Sequence, residues 1–251
     1  MIPTFKRFLG LLVCTGLAIG FCQSFGTLAA AAAPFGIGAH HTICYIVFLD
    51  ETGSDIGDWN AMRLQASRVA KAMNSGDAVV VIAINDRGGD ADNIRVPLQF
   101  LSVDSPLKVA ELKRKRQGIV DQIMSLQPVG RPRRTDIVSA FRLAMDVGNK
   151  AITMAHDIDP HVQMDLVLAV FSDMQQTPKM PVAKDVTGIH FPNATKGYCF
   201  YVAAPGKNGI QSTVAIWKPL LNSIGIAITD NDFHQQGTVP AAISVLFPQS
   251  N

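Results

Sequence analysis

Three short segments carry the side chains best suited to chemistry. Residues 50–54 read Asp50-Glu51-Thr52-Gly53-Ser54, which puts a carboxylate and two hydroxyls at alternating positions of one turn. Thr135-Asp136 stands before a stretch with helical spacing, and Ser172-Asp173 closes an apolar run. Collected, Asp50, Thr52, Ser54, Thr135 and Asp173 are hard oxygen donors, with no His and no Cys among them. Such a set suits a small divalent cation that keeps part of its water shell, Mg²⁺ first, with Mn²⁺ and Ca²⁺ as alternatives. Three neutral hydroxyls and two carboxylates leave the ion short of negative charge. One more acidic oxygen, from outside the chain, is expected to complete it. Each fragment also has a plainer reading: Thr135 would cap a helix, and Asp-x-Thr-x-Ser after a strand can bond only its own turn. Three fragments in order, each at an element boundary, favour the site.

Hydropathy places those boundaries. Residues 43–49, 78–84 and 164–171 are unbroken apolar runs, the pattern of strands buried on both faces, and residues 197–203 and 225–229 are shorter ones. Residues 94–103 contain Pro97 and read as an edge strand, where a missing N–H is tolerated. Helical spacing marks residues 59–73, with Met62, Ala66, Val69, Ala70 and Met73 on one face. It marks residues 105–126, with Val109, Leu112, Ile119, Val120 and Ile123 inward. A third helix starts near Thr135 and carries Ile137, Phe141, Ala144, Met145, Gly148 and Ile152; a fourth covers residues 209–222. Strands alternating with helices predict an α/β domain: a doubly wound, mostly parallel sheet with one antiparallel edge strand and helices on both faces. Ligands of such sheets sit beyond the carboxyl ends of the strands, where strand order reverses. Residues 50–54 and 172–173 fall at such ends.

The three segments resemble the motifs of a von Willebrand factor A-type domain carrying a metal-ion-dependent adhesion site, over roughly residues 42–230. In that family an apolar strand leads into Asp-x-Ser-x-Ser, as Tyr45-Ile-Val-Phe-Leu-Asp50-Glu-Thr52-Gly-Ser54 does here. A Thr opens a later helix, matched by Arg134-Thr135-Asp136-Ile137, and an Asp follows a further strand, matched by Val170-Phe-Ser-Asp173. Thr52 stands where Ser is usual, and Met174 where Gly is frequent. The resemblance implies direct binding of the ion by Thr52 and Ser54, and by Thr135 when a ligand is engaged. Asp50 and Asp173 would act largely through water or hydrogen bonds, and a partner's Asp or Glu would complete the coordination. It implies protein binding and complex assembly rather than catalysis.

The rest of the sequence bounds this reading. Among 251 residues, 48% are hydrophobic and 17% charged, which excludes disorder and coiled coil. Lys6 and Arg7, an uncharged apolar stretch and the small-residue run 29–33 make residues 1–33 a secretory signal peptide or, uncleaved, an anchor. Residues 34–251 then form one exported domain, periplasmic or secreted, with no formal net charge. Membrane contact would come only through an uncleaved N-terminus. Arg131, Arg133 and Arg134 directly precede Thr135 and could steer an acidic partner. Nucleic acid is not expected, since no aromatics interleave the basic residues. A metal-dependent hydrolase such as a phosphoesterase is the alternative. It would need a general base near the ion, and only Glu51 and Asp136 are close in sequence, each with a capping or solvent reading. Cys44 and Cys199 are the only cysteines after residue 33. The resemblance puts a strand between theirs, too far for a bridge.

Overall fold

The computed structural model describes residues 40–52, 56–102, 108–129, 132, 134–192, 194–203 and 209–235, all within one compact unit, Ile37–Asn251. The signal segment 1–33, Ser54, Arg131 and Arg133 lie outside the described residues. Among the described residues no helix is long and apolar enough to cross a membrane.

Six strands form one sheet: β1 (His40–Asp50), β2 (Ala78–Ile84), β3 (Ile94–Phe100), β4 (Val162–Phe171), β5 (Lys196–Phe200) and β6 (Phe233–His234). Their order is β3-β2-β1-β4-β5-β6. All neighbours run parallel except β2 and β3, so the expected sheet with one antiparallel edge is what forms. β1 lies inside the sheet because every side chain from Thr42 to Asp50 is buried. Its period of two sends Cys44, Ile46 and Phe48 to one layer and Ile43, Tyr45, Val47 and Leu49 to the other. Helices α1 (Trp59–Ala72) and α2 (Val109–Ser125) cover the second layer; α3 (Ile137–Ile158) and α4 (Gln211–Ser223) cover the first. A fully buried apolar side chain of this kind stabilises by about 1.5–3 kcal/mol. Phe48 adds an edge-on contact with Phe141 of α3 at 5.2 Å.

Pro97 sits where the edge-strand reading put it. Val79 pairs with Gln99 and Val81 with Val96, so Val80 faces both Leu98 and Pro97, and the extra residue is a bulge. Several boundaries differ from expectation, the edge strand among them, which ends at Phe100 rather than 103. Val109 is 67% exposed rather than inward, because it is the first residue of α2, nearly three turns before the buried Ile119, Val120 and Ile123. β5 ends at Phe200 instead of continuing to 203, since Tyr201 turns to a positive φ of 68°. Residues 225–229 are not the last strand. Gly225 has φ 91° and Asn222 bonds the backbone of Ile228 at both N–H and carbonyl, leaving one bridge between Lys196 and Ala227. A Thr229/Asp232 capping box then turns the chain, and Phe233–His234 becomes β6.

β6 carries a testable feature. The His234 ring stacks on Phe200 at 5.2 Å, and its buried Nε2 has no hydrogen-bond partner among the described residues. Burial lowers the His234 pKa, against an opposing pull from Asp232. With the folded value below the unfolded one, the unfolded chain takes the proton first. Stability is therefore full above the unfolded pKa of about 6.5 and falls as pH drops through it. Melting temperature should decrease from pH 7.5 to pH 5.5, and His234→Phe should flatten that slope. An unchanged slope in the variant would assign the acid sensitivity to other groups.

Candidate functional site

β1 and β4 are parallel neighbours with Leu49 paired to Phe171, so Asp50 and Ser172 stand side by side where the two strands end. This is the switch point of the sheet, since the chain leaves β1 toward β2 while β4 lies on the other side of β1. Asp50 is fully buried. Its Oδ2 accepts the Ser172 hydroxyl at 2.6 Å and its Oδ1 accepts the Thr52 backbone N–H at 2.9 Å. The Thr52 side chain also bonds Asp50. Burial pushes the Asp50 carboxyl upward; the hydrogen bonds from Ser172 and Thr52 oppose this, and the charge on nearby Asp173 reinforces it. Among the described residues, none of the groups acting on Asp50 is a cation.

Asp173 is half-buried, and its Oδ1 accepts the Gln175 N–H at 2.8 Å while its carbonyl accepts the Ala203 N–H at 3.0 Å. Met174 follows with φ 60°, the left-handed conformation that glycine adopts freely. A methionine there stores of order 1–3 kcal/mol of strain. Its surroundings hold it: the side chain is buried and its carbonyl accepts the Trp217 indole N–H at 2.8 Å. The loop after β4 thus takes the turn a glycine would take, without the glycine.

Thr135 is buried beside this loop. Its N–H donates to the Thr177 hydroxyl at 2.8 Å, and its carbonyl accepts the Thr177 N–H at 3.1 Å. The helix start falls one residue later than expected. Asp136 caps α3 by accepting the Ser139 N–H at 3.0 Å, so capping does not occupy the Thr135 hydroxyl. The Asp136 N–H donates to the Asn85 carbonyl at 2.9 Å, which ties the end of β2 to the same corner. Gly88 permits that approach, since a Cβ there would lie 2.2 Å from the Asp136 carbonyl.

The described members of the sequence-derived set therefore meet at one end of the sheet: Asp50, Thr52 and Asp173 directly, and Thr135 through the loop after β4. Of the steering arginines, Arg134 is exposed beside Thr135. Glu51 departs from its capping or solvent reading. Its side chain is 0% exposed and pairs with Arg95 Nη1 of β3 at 2.5 Å. Burial raises its pKa, and Arg95 is the largest opposing influence. The sequence reading also left out Ser172 and Thr177 as contributors. Ser172 could have been found from register, as the residue beside Asp50; nothing local marks Thr177. Cys44 and Cys199 are buried free thiols with β4 between their strands. Burial pushes Cys44 up to about 12, which makes it a poor nucleophile.

Among the described residues no group of three or more His, Cys, Asp or Glu is placed to hold a metal. Any ion here would depend on hydroxyls. The donors present fit that requirement: the Asp50 carboxylate, on which no described cation acts, lies within electrostatic reach of Asp173, with Thr52 bonded to Asp50 and Thr135 held on the loop after β4. They suit a hard, partly hydrated divalent cation.

The strand order and its one antiparallel edge give a von Willebrand A-like fold. No protein-family model matches the sequence, and no curated protein matches it significantly. Similar solved structures include a von Willebrand factor type A protein from Catenulispora acidiphila, with 12% identity and a TM-score of 0.43 over 76% of this chain and 39% of that one. The pilus adhesin SpaC from Lactobacillus rhamnosus GG has 10% identity and a TM-score of 0.44, over 83% and 30%. The human COPII-coat protein Sec24c has 14% identity and a TM-score of 0.31, over 65% and 26%. The chain thus spans well under two thirds of the length of each.

Proposed function

We propose that the chain is an exported, metal-dependent protein-binding domain of adhesion or complex-assembly type, without catalytic activity. Mg²⁺ is the favoured ion, with Mn²⁺ and Ca²⁺ as alternatives. Thr52, with Ser54 by sequence position, binds it directly, and Thr135 does so when a ligand is engaged. Asp50 and Asp173 act through water or hydrogen bonds, and an Asp or Glu of the partner protein completes the set. The observation that carries this reading is the buried Asp50 carboxylate at the switch point, bonded by Ser172 and Thr52 and repelled by the charge of nearby Asp173, with no described cation acting on it. A divalent ion would relieve that like-charge pair. Export rests on residues 1–33. The two carboxylates that a hydrolase could use as a base are already engaged, Glu51 by Arg95 and Asp136 by the start of α3. This favours binding over hydrolysis.

The test is a titration of a fluorescent acidic peptide into the full chain, in Mg²⁺ or Mn²⁺ and in chelator. Saturable binding that requires the ion and disappears in Asp173→Ala, with the variant's melting curve intact, is expected. Binding that persists unchanged in chelator would falsify the proposal.

A further inference from the structure

On the Thr135 side of the site, the start of α3 and the loop after β4 enclose a cleft of about 360 Å³. Arg142, Lys179 and Lys184 line it, with Asp136, Ser139 and Asp185. The three bases lie 37 and 5 residues apart along the chain, so no basic run in the sequence announces them. All three are exposed, and among the described residues none is in an ion pair. The two carboxylates are each turned to backbone. Asp136 accepts the Ser139 N–H at 3.0 Å, and Asp185 accepts the Val182 N–H at 2.9 Å. Arg142 is fixed by an Nη2 bond to the Asp185 carbonyl at 2.6 Å, which leaves donors of its planar fork for another acceptor. The cleft is linked to the Thr135 corner of the candidate ion site through the loop after β4. Its wall residue Gln176 accepts the Val138 N–H at 3.0 Å, and the next residue, Thr177, bonds Thr135 in both directions.

We propose that the partner is a protein segment with at least two acidic residues, one completing the metal ion and a second held in the cleft by Arg142, Lys179 and Lys184. This rests on the metal-dependent reading for the first contact only; the cleft is a separate surface. Three cations facing two committed carboxylates favour an anionic group. The exposure of all three side chains makes their effect strongest on encounter rate and on salt dependence.

The probe is a fluorescein-labelled ten-residue polyglutamate peptide, compared with a Gly/Ser peptide of equal length carrying one Glu. Binding to the full chain is measured in Mg²⁺ and in chelator, at low and moderate salt. The triple variant Arg142→Gln/Lys179→Gln/Lys184→Gln should bind polyglutamate about tenfold more weakly, from three exposed charge contacts. Its salt dependence should be shallower, while its binding of the single-Glu peptide and its need for Mg²⁺ are unchanged. Lys71→Gln/Lys113→Gln/Arg114→Gln removes the same charge from α1 and α2, on the other face of the sheet, and should leave both peptides unaffected. Polyglutamate affinity and salt slope equal in the two triple variants would overturn the proposal. If no variant shows Mg²⁺ dependence but the cleft variant alone weakens binding in chelator, the cleft assignment stands and the metal reading falls.

Discussion

If the proposed ion site is right, Mg²⁺ should stabilise the native protein and Asp50→Asn should erase that effect, while leaving the metal-free protein at least as stable as the native chain in chelator. The asparagine keeps the shape and can keep the bonds to the Thr52 backbone and to Ser172. Its oxygen can accept the Thr52 N–H, and its amide can donate to the Ser172 hydroxyl, which now donates to Asp50 and accepts the Met174 N–H at 2.9 Å. The main change is the loss of the charge, with the Ser172 hydroxyl proton turned to another acceptor. That charge is fully buried and next to Asp173, with no described cation acting on it, so removing it relieves a cost of folding. Asp50→Ala would mix this effect with the loss of every hydrogen bond the carboxylate accepts and is the poorer experiment.

The size of the effect follows from linkage. A ligand that binds only the folded state stabilises by RT ln(1 + [L]/Kd), or about 1.4 kcal/mol at tenfold saturation. In a domain of this size that is a rise of roughly 3–6 °C in Tm. The native protein should show it when Mg²⁺ replaces chelator. In Asp50→Asn the response should nearly vanish, since a group that orients direct ligands typically costs 10–100-fold in metal affinity when altered. The measurement is a pair of thermal melts for each protein. An equal Mg²⁺ response in both would place the ion away from Asp50.

The strands that build this corner were legible because their chemistry is extreme. A run such as residues 43–49 can be buried on both faces only inside a parallel sheet, and polar residues at its end must lie at the sheet's carboxyl edge. Asp50, Thr52 and Asp173 are placed by that logic alone. Where a feature depended on a distant partner, the sequence was silent or misleading. Glu51 looks like a solvent carboxylate beside a turn, yet it is buried because Arg95, 44 residues away, folds over it. Residues 225–229 have a strand's composition, but Asn222 captures the backbone of Ile228 first. Met174 lacks the residue type its backbone wants, and only the Trp217 bond and the surrounding core show why it is tolerated. Arg142, Lys179 and Lys184 sit apart in sequence, and tertiary structure alone gathers them.

The Glu51–Arg95 pair carries the largest stability effect expected of a single substitution. Glu51 is 0% exposed at its side chain and Arg95 16%; the pair is 2.5 Å long, and Arg95 Nη2 also donates to the Gln127 carbonyl at 2.8 Å. Arg95→Met keeps much of the apolar stem and deletes the guanidinium. The carboxylate would retain a 3.4 Å contact from the Val129 N–H and a bond from Asn85, too little to balance a buried charge. Breaking such a pair from one side costs about 3–5 kcal/mol, which denaturant unfolding reads as a clear fall in midpoint at unchanged slope. Glu51 lies between Asp50 and Thr52, so the same variant should also blunt the Mg²⁺ response. The double variant Glu51→Gln/Arg95→Met separates the causes. A neutral amide needs no counter-charge, so the double variant should regain most of the lost stability if the uncompensated carboxylate is responsible. If the double variant is no more stable than Arg95→Met, the loss lies instead in the packing and the Gln127 bond of the arginine, and the ion pair is not what holds the turn after β1.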